Sequence, residues 1–522
     1  MVGAATASRS VGATLSSVLP QDARPWYKQR HLVKLNLSIA MIYFCSTTNG
    51  YDGSIMNNFL SLPEWNVFMN HPKGAWLGFF NALYWTVVGV WSPFVAHFAN
   101  KYGRKRVLYY GYIPLVIATA LEAAAPNPAV FIVSRGLLGL TTATVGNTAP
   151  LLMAETAFPT HRGVATALYN TGFHVGAAVA AWATFGTRSY GSNWSWRVPA
   201  ILQIICPLIA LVGAITIPES PRWLVSVGRE EEARRILINT HAGGDENSPL
   251  VDYEFREISS TIKLEREANK RGYSEMWRTP GNRHRLFITV TIGLFAEWVG
   301  NNVVSYYVSV VLTDVGVTSV THQIAITGGL QVWNAIIAIT AASNVDRLGR
   351  RGLFLSSAAV MLVSFIIITA CAATFKISGN TTAGLVVVPF LFIFYGGYDL
   401  GLNPMLYAYP VEIWPYHLRS RGLSLAWIFL VVSTVFNVFV NPIAMEDIGW
   451  KYYIVFDVMI LLFGLTAYFF YPETGGRTLE QVAEIFDGVP TQGIEAQEKE
   501  GDDFGSDAGA SKQPTTEMAA VS

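Results

Sequence analysis

Twelve apolar blocks, each about twenty residues long, alternate with short polar turns along this chain. They fall near residues 32–55, 74–98, 107–125, 129–153, 163–186, 197–217, 286–312, 323–345, 352–375, 384–409, 422–445 and 452–471. A helix of that length crosses the roughly 30 Å of bilayer hydrocarbon. One long polar stretch, from Pro218 to Arg285, interrupts the series after the sixth block and carries clusters such as Arg229-Glu230-Glu231-Glu232 and Lys263-Leu264-Glu265-Arg266-Glu267. The pattern predicts an all-α membrane protein of twelve transmembrane helices in two pseudo-symmetric six-helix bundles. Its parts would be an N-terminal tail at 1–31, a first bundle at 32–217, a linker at 218–285, a second bundle at 286–471 and a C-terminal motif and tail at 472–522. Within the linker, Glu230 to Ile238 and Tyr253 to Leu264 have the spacing of short amphipathic helices.

Composition supports membrane insertion. The 522 residues are 51% hydrophobic and 14% charged, with mean hydropathy +0.34, whereas soluble domains carry about 25% charged residues. With 36 basic and 36 acidic side chains, nothing invites a nucleic-acid partner. Cys45, Cys206 and Cys371 lie inside apolar blocks, where packing accounts for them better than disulfides or metal ligation. No Gly-x-x-x-x-Gly-Lys-Ser/Thr loop or metal-ligand cluster is legible, so an enzyme, an ATP-driven pump or a cofactor-dependent protein is not expected. The start of the chain lacks a cleavable leader pattern, which leaves the first span as its own insertion signal.

Lys and Arg in the short loops set the orientation. One set of loops holds Lys101, Arg104, Lys105, Arg106, His161, Arg162, Arg347, Arg350, Arg351, Arg419 and Arg421. The alternate loops hold few, among them Arg188, Lys376 and Lys451. The basic set is expected to be cytoplasmic, with both termini and the linker on the same side. The sequons at Asn193 and Asn380 then fall outside, as candidate glycosylation sites.

The two halves repeat each other at an offset of about 250 residues. Tyr102-Gly103-Arg104-Lys105-Arg106 after the second span matches Asp346-Arg347-Leu348-Gly349-Arg350-Arg351 after the eighth. Glu155 and Arg162 match Glu412 and Arg419, seven residues apart in each half, and Pro218-Glu219-Ser220 matches Pro472-Glu473-Thr474. Topology alone requires basic residues at these ends; it does not require the matched acids.

These motifs, with Gly50-Tyr51-Asp52, Arg135, Pro221-Arg222-Trp223-Leu224 and the terminal Pro472 to Glu480, resemble the sugar porter branch of the major facilitator superfamily. Gly300-Asn301-Asn302-Val303-Val304-Ser305-Tyr306-Tyr307 and Asn441-Pro442-Ile443-Ala444 resemble the fungal lactose and cellodextrin permeases within it. The resemblance implies a substrate site between the bundles. It also implies a latch at the cytoplasmic helix ends, formed by Arg104, Glu155, Arg162 and Glu219 with their counterparts Arg350, Glu412, Arg419 and Glu473. Such charges would pair when that side closes and separate when it opens. Asn100 stands where the family usually has Asp, so the first latch is expected to be the weaker.

Charges at mid-membrane cost at least about 2.5 kcal/mol and mark functional candidates. By resemblance, Asp52 and Arg135 form a proton-coupling pair: near Arg135 the acid stays ionised, and on separation burial favours its protonated form. A static ion pair is the plain alternative. Glu122, near the outer end of the third span, is equally consistent with a side chain snorkelling to the interface.

Glu297, Asn301 and Ser305 recur every four residues, on one face of a continuous helix. Gly300 could break that helix and expose backbone groups to a polar cavity. The resemblance places Asn170, Glu297, Asn302, Asn334 and Asp399 at the substrate site. Trp333, Tyr398, Tyr407 and Trp427 are candidates for stacking or for packing. Glu297 departs from a family Gln: it keeps the acceptors, loses the amide donors and adds a charge.

The function this implies is secondary active transport of a hexose or disaccharide across the plasma membrane, by proton symport and alternating access. The partners are a sugar, protons and the lipid bilayer, and the chain would act as a monomer. A same-fold carrier or exporter of another polar solute is the alternative. A non-transporting sensor would usually carry a longer tail than the acidic, low-complexity stretch of about thirty-five residues after Gly488.

Overall fold

The computed structural model describes residues 18–19, 25–269, 272–475, 477 and 479–488. Most of both tails, with Gly476 and Thr478 of the terminal motif, lies outside the described residues, as do the side chains of Asp346 and Arg347.

Long apolar runs become helices because every backbone N–H and C=O must be bonded within the segment in lipid. Among the described residues, apolar helices of spanning length are found at Gly74–Tyr102, Arg104–Ala124, Pro128–Thr156, Trp194–Thr216, Pro280–Asp314, Val320–Ala341, Arg350–Ser378, Thr381–Ile413 and His417–Phe470. The last holds two spans, Tyr416–Ile448 and Tyr453–Phe470, joined by the short turn Gly449–Tyr452. The first span, Arg30–Ile42 and Phe44–Leu60, and the fifth, Pro159–Thr187, complete the twelve. Those two are the polar ones. Phe44–Leu60 buries Ser46, Thr47, Thr48, Asp52, Ser54, Asn57 and Asn58, and it packs along the fifth span. Outer faces of other spans expose Ile209, Val212, Ile215, Leu461, Leu462 and Leu465, which is the polarity expected against lipid.

The second and third spans meet at Gly103 (φ 100°), and the eighth and ninth at Gly349 (φ 72°). Positive φ admits glycine readily, and here it turns one helix into the next without a loop. These turns lie on the side that carries the basic residues, called here the basic side.

Among its described residues the linker forms four helices, Pro221–Ser226, Glu230–His241, Pro249–Asn269 and Glu275–Arg278. Trp223, Leu224, Val225, Ala233 and Ile262 give it a small core. Ser220 caps its entrance by accepting from the Trp223 N–H at 3.1 Å, and Trp223 Nε1 donates to the Asn100 carbonyl at 2.8 Å. The linker is therefore pinned to the first bundle rather than hanging free.

The bundles touch each other on the far side. Trp85 Nε1 donates to Tyr306 Oη at 2.8 Å, Asn81 Nδ2 to Tyr307 Oη at 3.3 Å and Arg188 Nε to Thr321 Oγ1 at 3.0 Å. The Ser309 N–H and hydroxyl both reach Asn57 Oδ1 at 3.4 Å. Gly78 lies so close to the eleventh span that a Cβ there would stand 2.3 Å from the Phe439 carbonyl.

Candidate functional site

The charged clusters on the basic side form two equivalent cradles. In the first bundle, Arg104 Nε bonds Glu155 Oε2 at 3.1 Å, while Glu219 Oε1 accepts from the backbone N–H groups of Arg104 and Lys105, both at 3.1 Å. In the second, Arg350 Nη2 bonds Glu412 Oε1 at 3.0 Å, and Glu473 accepts from the N–H groups of Arg350 at 2.8 Å and Arg351 at 3.0 Å. Thr474 Oγ1 adds a bond to Glu412 at 2.5 Å. The positive φ of Gly103 and Gly349 aims the first N–H groups of the next helix at these glutamates, whose carboxylates suit a helix N-terminus. The repeat therefore extends to individual hydrogen bonds. Burial opposes ionisation of Glu473, but the N–H donors of Gly475, Arg350 and Arg351 with the Arg350 guanidinium hold it below the usual glutamate value. These contacts run within each bundle. Arg162 is exposed and Arg419 half-buried.

Asp52 and Arg135 come together in the buried interior of the first bundle, at 0% and 2% exposure. Their contact is not a carboxylate–guanidinium bond. Arg135 Nη1 donates to the backbone carbonyl of Asp52 at 3.3 Å, and its guanidinium stacks over the Tyr84 ring at 4.8 Å. Both Asp52 carboxylate oxygens are buried with no hydrogen-bond donor. Glu122 does not snorkel: it is fully buried, and its Oε2 accepts from Gln203 Nε2 at 3.1 Å. Two acids thus share the interior with one guanidinium.

In the second bundle the seventh span breaks as Gly300 allows. Pro280–Trp298 ends, Gly300 takes φ 96° in the left-handed region, and Asn301–Asp314 begins. A Cβ at Gly300 would meet the Phe365 ring at 2.8 Å. The break resets the helical phase, so the single face expected for Glu297, Asn301 and Ser305 does not form. Asn301 and Ser305 remain linked, Ser305 Oγ donating to Asn301 Oδ1 at 3.1 Å, and Asn301 Nδ2 donates to Tyr398 Oη at 3.2 Å. Glu297 lies instead near the side chains of Asn302 and Thr434. Asn437 Nδ2 secures its backbone carbonyl at 3.1 Å.

Asp399 lies in a second break, a π-helical turn over Tyr398–Leu402 in the tenth span, a type of irregularity frequent at functional sites. Its Oδ1 accepts from Asn403 Nδ2 at 2.8 Å and lies 4.0 Å from His174 Nε2 of the fifth span. Asn302 and Asn334 are 2% and 1% exposed, and each leaves one buried amide atom without a partner. Asn170 is exposed on the fifth span, one turn before His174. The expected substrate residues therefore divide, with Glu297 and Asn302 near each other and Asp399 facing a residue of the other bundle.

His174, Thr434, Asn437 and Gln203 are the polar residues that the sequence reading missed. A signal existed for two of them: His174 follows Asn170 by four residues inside an apolar block, and Asn437 precedes Asn441 by the same interval. Among the described residues, no group of three or more His, Cys, Asp or Glu side chains is placed to hold a metal ion.

Two six-span bundles, with ionisable and amide side chains buried along their facing helices, define a membrane carrier rather than an enzyme. The chain belongs to the sugar (and other) transporter family, whose profile matches residues 38–486. It is 30% identical to the Sugar transporter STL1 of Saccharomyces cerevisiae, covering 76% of this chain and 69% of that one. It is 26% identical to a High-affinity glucose transporter of Kluyveromyces lactis, over 84% and 83% of the two chains, and 30% identical to the MFS-type transporter oryC of Aspergillus oryzae, over 75% and 73%. The fold matches the E. coli xylose transporter XylE in a partially occluded inward open conformation, with TM-score 0.71, 20% identity and coverage of 85% of this chain and 100% of that one.

Proposed function

We propose that this carrier moves an uncharged sugar or polyol together with a proton, by alternating exposure of a site between its bundles. The observation that carries the reading is the Asp52 carboxylate, buried beside Arg135 with no donor of its own. A buried charge without a partner is costly, and taking up a proton relieves the cost. Arg135 needs to move only from the backbone carbonyl to the carboxylate to favour the ionised form, so protonation and conformation become linked. The names of the glucose and sugar transporters it resembles, and of the solved proton:xylose symporter XylE, support the choice of sugar and proton.

The solute would contact Asn170, Glu297, Asn302, Asn334 and Asp399. The basic side would be cytoplasmic, with both termini inside, the plasma membrane as its location and a monomer as the working unit. In that orientation the far-side contacts close the outside, and the molecule faces inward. Arg104, Glu155, Arg162 and Glu219, with Arg350, Glu412, Arg419 and Glu473, would tune closure of the inner side.

Expression in a host that lacks hexose and disaccharide uptake, with labelled sugars and a record of external pH, tests the reading. The expected result is sugar entry accompanied by alkalinisation of the medium. Sugar entry at constant external pH would exclude symport, and absence of uptake for every sugar would exclude the substrate class.

A further inference from the structure

Among the described residues, three places outside the assigned ones combine buried polar side chains from different elements around an ionisable group, and others, such as Arg285 with Asp487, are paired ion contacts. His241 joins the linker to the end of the fourth span, with Glu254 Oε2 at 2.7 Å from one ring nitrogen and the Thr156 carbonyl at 3.2 Å from the other; these bonds account for a structural pin. Glu122 with Gln203 belongs to the Asp52 interior already described. His174 is different, because its partner lies in the opposite bundle.

His174 is 9% exposed and Asp399 1%. Nε2 faces Oδ1 across the bundle interface at 4.0 Å, too long for a direct hydrogen bond. The remaining polar atoms of the two side chains, His174 Nδ1 and Asp399 Oδ2, are both buried and have no partner. Each such atom costs about 1–3 kcal/mol. Packing gives no account of two of them on residues that face each other across the interface between the bundles. The same stretch of the tenth span also carries polar hydroxyls: Tyr398 Oη, one residue from Asp399, donates to the Ala296 carbonyl at 3.1 Å beside Glu297, and Tyr395 Oη bonds Ser305.

We propose that His174 and Asp399 bind the solute jointly, one from each bundle, and that His174 is a specificity-determining residue of the transport site. With Nε2–H turned toward Asp399, Nδ1 presents a lone pair and Oδ2 a second acceptor. Two acceptors on two bundles match a solute with neighbouring O–H donors, a polyhydroxy compound rather than an apolar one. A solute held in this way is gripped from both halves and links binding to their relative position. The proposal rests on the sugar reading and extends it to a residue of the first bundle.

The test uses the full chain in proteoliposomes and follows exchange of labelled D-glucose against unlabelled D-glucose and its monodeoxy analogues. Exchange needs no net proton movement, so it separates binding from coupling. Wild type should discriminate against one monodeoxy analogue by about tenfold, the value of roughly one hydrogen bond. His174→Leu should raise half-saturation by D-glucose about tenfold with the maximal exchange rate retained, and should no longer discriminate against that analogue. His174→Gln should restore part of both, and Asp399→Asn should show the same pattern if the leucine variant does not fold. Unchanged half-saturation and discrimination in these variants would overturn the pairing while leaving the sugar reading intact. A fall in maximal rate alone would mark His174 as a packing or closure residue and overturn it too. Wild type that exchanges neither D-glucose nor any other sugar would overturn the sugar reading, and this inference with it.

Discussion

At the scale of single residues, the carrier is defined by acids that lipid would not tolerate. Asp52, Glu122, Glu297 and Asp399 are all at most 8% exposed, and each is answered differently: Asp52 by a nearby guanidinium that bonds its backbone, Glu122 by Gln203, Glu297 by Asn302 and Thr434, Asp399 by Asn403 and the facing His174. Glu297 is where this chain departs most from the sugar porters it resembles. Glu297→Gln restores two amide donors and removes a charge, so competition assays should show selectivity moving toward ordinary hexoses by about tenfold, a span of roughly one hydrogen bond. Identical competition profiles would remove Glu297 from the site. Residue identity was largely legible in the sequence, since an acid in an apolar block stands out. Orientation was not. Glu122 reads equally well as a snorkelling side chain until packing shows it sealed against Gln203, because spacing along a span gives no absolute rotation about the helix axis.

At the scale of elements, glycines with positive φ set the geometry. The break at Gly300 was anticipated from the conformational freedom of glycine, but its consequence was not: a left-handed residue shifts the phase of everything after it, which is why Glu297 parts from Asn301. Gly300→Ala combines a strained φ with a Cβ 2.8 Å from the Phe365 ring. It should lower stability by about 1–3 kcal/mol, seen as reduced thermal stability in detergent; an unchanged melting temperature would show that the break is not needed. The π turn at Tyr398–Leu402 had no comparable signal, since Pro404 and the nearby glycines are also compatible with a simple kink. Gly103 and Gly349 turn helix ends toward Glu219 and Glu473, and here pH offers a test. Glu473 is held below its ordinary value in the fold, so its stabilising contribution is present above the unfolded glutamate's range and is lost as pH falls through the lowered folded value. The difference in melting temperature between wild type and Glu473→Gln should therefore be full near neutrality and shrink only as pH falls below about 4, the ordinary glutamate range. A difference independent of pH would refute the ionised cradle.

At the scale of the whole molecule, the repeat and the hydropathy pattern predicted the architecture, because twelve runs of spanning length leave helices as the only way to satisfy the backbone in lipid. The same pattern hid part of the interior, since the first and fifth spans, which carry Asp52, Asn170 and His174, fall below the apolarity of the other spans. The linker, prominent in the sequence as a break in the apolar pattern, proves to be a set of helices pinned to the first bundle. The chemistry lies in the spans it connects. Orientation can be checked directly: Asn193 and Asn380 are exposed on the far side. If that side is extracellular, at least one should carry a glycan that endoglycosidase removes in the wild type and that is lost in the Asn193→Gln, Asn380→Gln double variant. Glycan attachment at a sequon engineered into the basic-side turns would contradict the orientation. The most direct test of the account is accumulation of labelled D-glucose in proteoliposomes under an imposed pH gradient, acidic on the side of entry. Wild type should concentrate the sugar and lose the gradient of sugar when a protonophore is added, whereas Asp52→Asn should exchange sugar at a comparable rate and accumulate none. Full accumulation by Asp52→Asn, or accumulation by wild type that ignores the pH gradient, would contradict proton coupling through the buried carboxylate.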